Sequence, residues 1–160
     1  FMSKVKDYLS DDKVESVVAL CERSSFPLAN MVAKGTLIKN GSIKDVQDAM
    51  ERQGNLEVYK LEHNLASLAT IAGAAPMIGF LGTVIGMIIA FHEMASAGGQ
   101  IDVEMLSKGI YTAMTTTVAG LIVGIVAYLA YNQLVSKVTS ATFKMEQVTA
   151  EFLEIIAKNK

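Results

Sequence analysis

The sequence predicts an all-α membrane protein whose two transmembrane helices extend into long cytoplasmic helices. Residues 65–91, a run of 27, contain no Asp, Glu, Lys, Arg or His, and about 20 apolar residues in a helix suffice to cross a bilayer. Residues 109–136 form a second uncharged run of similar length. Hydrophobic residues make up 51% of the 160-residue chain, and its mean hydropathy is +0.36. Because this apolar material is concentrated in two blocks, the pattern indicates a helical membrane protein.

Charge, cysteine content and motifs exclude several classes of function. A net charge of −2, with the basic residues scattered along the chain, argues against binding to nucleic acid through its phosphates. The single cysteine, Cys21, supports neither a disulfide framework nor a metal site. We find no Ser/His/Asp set, no phosphate-binding loop and no metal-ligand spacing. We therefore expect no catalytic residue, no metal and no cofactor.

The distribution of basic residues predicts the orientation in the membrane. Of the 14 Lys and Arg residues, nine precede residue 65, four follow the second run, and only Lys108 lies between the two runs. The positive-inside rule therefore places both termini of this chain in the cytoplasm of a multi-pass protein of the bacterial inner membrane. The predicted segments are a cytoplasmic helical region (1–64), a transmembrane helix (65–93), a short periplasmic connector (94–108), a second transmembrane helix (109–133) and a cytoplasmic helical extension (134–160).

Start signals predict where the cytoplasmic helices begin. Residues 25–27, Ser-Phe-Pro, are typical of a helix start with proline at the first position. Ser42 and Asp45 have the spacing of a capping box, in which the Ser42 side chain accepts from the backbone N–H near Asp45. No strong helix breaker follows until Pro76, so we expect one helix of roughly 75 Å from Ile43 to about Met94.

A heptad seam follows the second transmembrane segment. Apolar residues recur at alternating steps of four and three over about three heptads; they are Leu134, Val138, Ala141, Met145, Val148, Phe152 and Ile155. Such a seam buries its apolar residues against other helices. They could be this chain's own long helix or other copies of the chain.

Small residues occupy one face of each transmembrane helix. At about 100° per residue, Gly79, Gly82 and Gly86 share a face of the first helix, and Gly120 and Gly124 share a face of the second. Large apolar residues occupy the opposite faces. In lipid the hydrophobic effect does not hold helices together, so small faces that allow close backbone approach take that role. We predict that these five glycines pack the two helices against each other.

Threonines on or beside these faces are the candidate functional residues. Thr83 of the first helix and Thr112, Thr116 and Thr117 of the second are placed to line a hydrated lumen, because a hydroxyl both donates and accepts hydrogen bonds. The runs 65–91 and 109–136 contain no Asp, Glu, His, Lys or Arg, although proton relays through membranes normally need an ionisable group at depth. If protons pass this pore lining, a second protein must supply the carboxylate.

These motifs resemble the MotA/TolQ/ExbB proton channel family, and its ExbB branch most closely. The resemblance rests on residues 72–87, residues 109–121 and the pair Tyr131-Asn132, with 23–29 resembling that branch's cytoplasmic region. It covers roughly residues 20–145.

The resemblance implies a homo-oligomer, a pentamer, whose spans surround a dimer of a single-span ExbD-like partner. The partner's intramembrane Asp would carry protons, the coupling ion, past a ring of threonines. The family's pore threonines match Thr83 and Thr117; Thr116 is added from the helical wheel. Proton flow would then energise outer-membrane transport through a TonB-like protein.

Two departures and two alternatives accompany this interpretation. Known ExbB and TolQ members carry Glu where this chain has Thr112. This chain therefore lacks the second acidic group that those members have on the proton path. The family usually has a span before its cytoplasmic region, and we expect that this span precedes Phe1 and is missing here.

A TolQ-like or other stator subunit of the same superfamily is one alternative, and a non-conducting membrane scaffold is the other. A rotor-ring hairpin would need a mid-span carboxylate of its own.

Overall fold

The computed structural model describes residues 1–24, 26–96, 98 and 103–158. These residues form six α-helices and, within the described ranges, no strand, which confirms the all-α class. The helices are α1 (Met2–Ser10), α2 (Val14–Glu22), α3 (Pro27–Leu37), α4 (Ile43–Glu62), α5 (Leu65–Ser96) and α6 (Val103–Lys158). Ser25 of the predicted helix start, and 97 and 99–102 of the predicted connector, lie outside the described residues.

The chain divides into two compact units. The first comprises Phe1–His63 and Ser136–Lys160, and the second comprises Asn64–Val135. We call them the polar unit and the apolar unit. The polar unit holds α1 to α4 and the C-terminal part of α6, and the apolar unit holds α5 and the N-terminal part of α6.

Both predicted start signals in the polar unit are confirmed. Helix α3 has proline at its first position, Pro27, where the missing N–H costs nothing. At α4 the Asp45 N–H donates to the Ser42 hydroxyl over 3.1 Å, and the Ser42 N–H donates to the Asp45 carboxylate over 2.9 Å. This reciprocal capping box satisfies two backbone donors at the helix start.

The heptad seam of α6 supplies part of the core of the polar unit. Phe152 is fully buried, and Met145 and Ile155 are buried with it. They belong to one cluster with residues of α1 to α4, among them Val5, Val32 and Met50. The seam therefore packs against this chain's own helices. Its first residue, Leu134, is exposed and lies in the apolar unit.

The helix expected from Ile43 to about Met94 is present as the helical stretch Ile43–Ser96, which a two-residue turn divides into α4 and α5. Helix α4 ends at Glu62 and α5 begins at Leu65, with His63 and Asn64 in a turn. The Leu68 N–H donates to the Asn64 carbonyl over 3.3 Å, which places Asn64 at the start of α5, where asparagine is favoured.

The two helices of the apolar unit expose their large side chains. Only 11% and 17% of the most apolar 18-residue windows of the two long helices are buried, whereas the core helix of a soluble protein buries most of its apolar surface. Exposed residues include Met77 and Phe80 on α5 and Ile122 and Val126 on α6. This exposure of large apolar side chains on long helices is typical of surfaces that contact lipid.

Candidate functional site

Helices α5 and α6 approach so closely that their backbones touch. A Cβ atom placed on Gly79 would lie 2.9 Å from the Thr116 carbonyl oxygen and 3.1 Å from the Cα of Gly120. A Cβ on Gly120 would lie 2.5 Å from the Ala75 carbonyl oxygen. Side chains cannot occupy such gaps, so these two glycines allow the helices to meet.

The other predicted packing glycines lie along the same contact. A Cβ on Gly82 would meet the Thr116 hydroxyl at 2.5 Å, and one on Gly86 would meet the Ala113 Cβ at 2.8 Å. A Cβ on Gly124 would meet the Pro76 ring at 2.5 Å. All five glycines therefore lie against the opposite helix. This run of small residues is the kind of face that brings membrane helices together.

Sequence reasoning missed one member of this contact. A Cβ on Gly109 would lie 2.5 Å from the Cβ of Ala90, which is itself buried. In the sequence, Gly109 stands out only as the first residue of the second uncharged run. Its position 11 residues before Gly120, close to three helical turns, was the signal that could have identified it.

A cluster of three threonine hydroxyls surrounds the Gly79 carbonyl oxygen. The Oγ1 atoms of Thr83, Thr116 and Thr117 lie 3.4, 3.3 and 3.2 Å from it. The hydroxyls of Thr83 and Thr117 are also hydrogen-bonded to each other. Thr83 and Thr117 are half-buried, and Thr116 is exposed. We call these three residues the hydroxyl cluster.

A second carbonyl oxygen gives the hydroxyl cluster an alternative acceptor. The Ala113 oxygen lies 3.1 Å from Thr83 Oγ1 and 2.7 Å from Thr116 Oγ1. Each hydroxyl has one proton to donate, and a carbonyl oxygen has two lone pairs. In a continuous helix one lone pair of the Gly79 oxygen also receives a backbone N–H. The three hydroxyls therefore cannot all bond Gly79 at once, and more than one pattern of donors is possible.

Thr112 lies outside the hydroxyl cluster. Its side chain is exposed, and its hydroxyl donates to the Lys108 carbonyl one turn back over 2.9 Å. The neighbouring Thr115 is also exposed and donates to the Tyr111 carbonyl over 2.8 Å. Threonines in membrane helices commonly satisfy themselves in this way. The structure thus brings together three of the four predicted threonines.

The hydroxyl cluster contains no group that could carry a charge. Residues 65–91 and 109–136 have no ionisable Asp, Glu, His, Lys or Arg. Within the described ranges, no three His, Cys, Asp or Glu residues are close enough together to hold a metal ion. The cluster can orient water or pass hydrogen bonds along, but it cannot hold a proton near neutral pH.

The polar unit contains a buried carboxylate that sequence reasoning also missed. Glu57 is 6% exposed, and its Oε1 accepts hydrogen bonds from Gln53, Lys60 and Asn30 over 2.9, 3.0 and 3.1 Å. Burial by itself would raise the pKa of the Glu57 carboxyl, but these hydrogen bonds, with the charge of Lys60, lower the pKa below its usual value. The carboxylate links α3 to α4. The signal that could have identified it is its helical spacing from Val46, Met50 and Gly54, which form the buried face of α4.

The only cysteine of the sequence lies in the core of the polar unit. Cys21 is 2% exposed, and burial raises the pKa of its thiol to about 11. A thiol that stays protonated at neutral pH is a poor nucleophile and a poor metal ligand.

Comparison with known proteins gives the family. Residues 23–147 match the model of the MotA/TolQ/ExbB proton channel family. The chain is 32% identical over 155 residues to the Tol-Pal system protein TolQ of Haemophilus influenzae, covering 97% of this chain and 65% of that protein. It is 39% identical over 83 residues to the biopolymer transport protein ExbB of Helicobacter pylori, covering 52% and 54% respectively.

The putative biopolymer transport protein ExbB homolog of Methanothermobacter thermautotrophicus is 31% identical over 122 residues, which cover 76% of this chain and 43% of that protein. The chain thus spans between 43% and 65% of the length of these three relatives. With the family model matching most of the chain and two apolar helices carrying the matched motifs, this protein belongs to the MotA/TolQ/ExbB proton channel family, as an ExbB-like member.

Proposed function

We propose that this chain is a subunit of an inner-membrane motor driven by the proton motive force, and that α5 and α6 form part of its proton-conducting wall. The observation that carries the proposal is the hydrogen bond between the Thr83 and Thr117 hydroxyls, which joins two apolar helices. Thr116 completes the hydroxyl cluster. Thr112 stays a prediction as a pore residue, because its hydroxyl is bonded to its own helix.

The chemistry of the cluster defines what a partner must supply. Hydroxyls that can exchange acceptors can support a chain of water molecules across an apolar layer. They cannot carry the charge, so an ionisable group must come from another chain. We propose a single-span ExbD-like partner with an intramembrane Asp, protons as the coupling ion, and no bound cofactor.

The proposed assembly, and the process that it would energise, rest on the family. A ring of copies, a pentamer, would surround the partner's helices and place one hydroxyl cluster per copy around the pore. The relatives are named for biopolymer transport and for the Tol-Pal system. We propose that this ring energises transport at the outer membrane through a TonB-like protein; a TolQ-like stator role is the alternative within the same superfamily. Members of the family are transport or stator components, and we propose no enzymatic activity.

One observation favours a second candidate, a non-conducting scaffold. Each hydroxyl of the cluster has a protein carbonyl within hydrogen-bond distance: Thr117 at Gly79, and Thr83 and Thr116 at both Gly79 and Ala113. Hydroxyls satisfied in this way can hold helices together without water. The two candidates differ in whether loss of the hydroxyls stops proton flow or weakens assembly.

Substitution of the hydroxyl pair tests the proposal. The full chain, co-purified with its partner from host membranes, is reconstituted in vesicles that contain a pH-sensitive dye. An imposed pH gradient then drives proton entry. With Thr83→Val and Thr117→Val together, we expect proton flux to fall to that of empty vesicles, because valine keeps the shape of threonine without its hydroxyl. Thr83→Ser with Thr117→Ser keeps both hydroxyls and should retain flux.

Thr115→Val is the matched control. Thr115 lies on the same helix, is exposed, and bonds only its own helix in the described contacts, so flux should be unchanged. The mass of the purified complex separates the two candidates. An intact complex that conducts normally with both valines would refute a conducting role, and a complex that falls apart would favour the scaffold.

A further inference from the structure

A cleft of about 350 Å³ lies within the polar unit, outside everything described so far. The start of α3 forms one wall, with Phe26 and Leu28, and α6 forms the other, with Lys137, Ser140 and Lys144. Both walls belong to the same compact unit.

The α6 wall of the cleft is basic. Lys137 and Lys144 are seven residues apart, which places them on the same face of the helix and about 10.5 Å apart along its axis. Ser140 stands between them on that face. Both ammonium groups are exposed, and neither takes part in an ion pair among the described residues. No acidic residue lines the cleft. An anion is the ligand that this wall would attract.

The α3 wall is apolar. Phe26 is 68% exposed, and Leu28 beside it is half-buried. A large exposed aromatic ring next to two unpaired lysines forms an amphipathic site, in which one part of a ligand would be charged and the other part apolar. A free anion would contact only the basic wall.

The position of Lys137 in the sequence indicates which amphipathic ligand is available next to the cleft. It is the first charged residue after the uncharged run 109–136, and such a run is long enough to cross the hydrocarbon core. A lysine at the end of a span places its ammonium at the depth of the lipid headgroups. The phosphates of anionic lipids lie at that depth and attract basic residues next to a span.

We propose that this cleft binds one anionic phospholipid from the leaflet at which the second span ends. The phosphate would lie between the ammonium groups of Lys137 and Lys144, with the Ser140 hydroxyl donating a hydrogen bond to it. The upper part of an acyl chain would lie against Phe26. This site is separate from the hydroxyl cluster, so it stands whether or not the chain conducts protons.

Lipid titration of the full chain tests the proposal. The chain in detergent is titrated with phosphatidylglycerol, and bound lipid is counted by native mass spectrometry; phosphatidylcholine is the neutral comparison. At a loss of about fivefold per lysine near a membrane surface, we expect Lys137→Gln with Lys144→Gln to bind phosphatidylglycerol about 30-fold more weakly. Lys137→Arg with Lys144→Arg keeps both charges and should restore binding.

The control variant is Lys34→Gln with Lys44→Gln, which removes two charges from exposed positions elsewhere in the polar unit. Equal losses in the two glutamine pairs would mean general attraction between charges and would overturn the site. Unchanged lipid binding with loss of a co-purifying acidic protein would make the cleft a protein-docking surface instead. Displacement of the lipid by glycerol 3-phosphate alone would show that the apolar wall plays no part and would also overturn the proposal.

Discussion

Single glycines determine how closely α5 and α6 approach. At Gly120 the nearest atoms to an added Cβ belong to the backbone of the opposite helix, at Ala75 and Gly79. Backbone cannot rotate out of the way as a side chain can, so an added methyl group must push the helices apart. At Gly73, also on α5, an added Cβ would meet nothing within 4 Å. The two positions therefore provide a matched pair.

We expect Gly120→Ala to destabilise the protein in detergent by about 1–3 kcal/mol, the usual cost of overpacking a close contact. Gly73→Ala should leave stability unchanged or raise it slightly, because alanine is the better helix former. Loss of helical circular dichroism during titration with a denaturing detergent measures both. Similar effects of the two substitutions would show that the helices do not meet at Gly120.

Glu57 makes the stability of the polar unit depend on pH. Its carboxyl has a lowered pKa in the folded protein, so its stabilising contribution is complete above the unfolded value of about 4.3. That contribution is lost as the pH falls through the lower folded pKa. The dependence is therefore confined to acidic solution.

At pH 7 we expect Glu57→Gln to lower the free energy of unfolding by about 1–2 kcal/mol, because the amide keeps one acceptor but loses the charge. The difference from the parent protein should shrink as the pH falls below 4, where the parent carboxylate takes up a proton. Chemical unfolding at several pH values measures this. Glu51→Gln, exposed on the same helix, is the control. An equal loss of free energy of unfolding in Glu51→Gln would argue against a special role for Glu57.

The C-terminal part of α6 belongs to the core of its own chain. Its seam could have served contacts between copies, but Phe152 is fully buried against residues of α3 and α4. The Phe152 ring also lies 2.8 Å from the Cβ position of Gly35. This part of α6 therefore packs against α3 and α4 of its own chain.

We expect Phe152→Ala to destabilise the polar unit by about 3–5 kcal/mol, through lost burial and the cavity it leaves. Phe143→Ala on the same helix removes a ring that is 60% exposed and should change stability by no more than about 0.5 kcal/mol. Chemical unfolding at several protein concentrations measures both. A cost at Phe152 that depends on concentration would point to packing between copies.

At the level of the whole chain, this is an inner-membrane protein with two candidate spans. The basic residues predict that both termini are cytoplasmic and that the connector is periplasmic. Cys21 is buried and its thiol has a raised pKa, so it should not react with maleimide in the folded protein. A cysteine introduced on the surface can therefore report its own side of the membrane.

In intact cells whose outer membrane has been made permeable, we expect Ser96→Cys to react with a maleimide that cannot cross the inner membrane. Ser10→Cys should react only after the inner membrane is opened, because α1 is predicted to be cytoplasmic. The parent chain, with Cys21 alone, is the control and should stay unlabelled. The reverse pattern of labelling would show that the orientation is the opposite of the predicted one. Labelling of both positions from the same side would exclude the predicted topology, in which α1 and the connector lie on opposite sides of the membrane.

Much of the fold could be predicted because it depends on local chemistry. Two uncharged runs predict two apolar helices, and Ser42 and Pro27 predict two helix starts, since capping and proline geometry act within one turn. The break between α4 and α5 could not be predicted. Two residues, His63 and Asn64, interrupt the helix there, and residues of these types also occur inside helices.

The candidate site divides in the same way. The motifs of the sequence by themselves indicated the family. The sequence also determined the small face of each apolar helix and the lack of Asp, Glu, His, Lys and Arg in both uncharged runs, because composition and helical period are properties of one segment. Only the tertiary structure decided which threonines meet. Thr83, Thr116 and Thr117 converge on the Gly79 carbonyl while Thr112 bonds its own helix, because the register between two helices depends on which small residues touch, and periodicity within one helix does not specify that register.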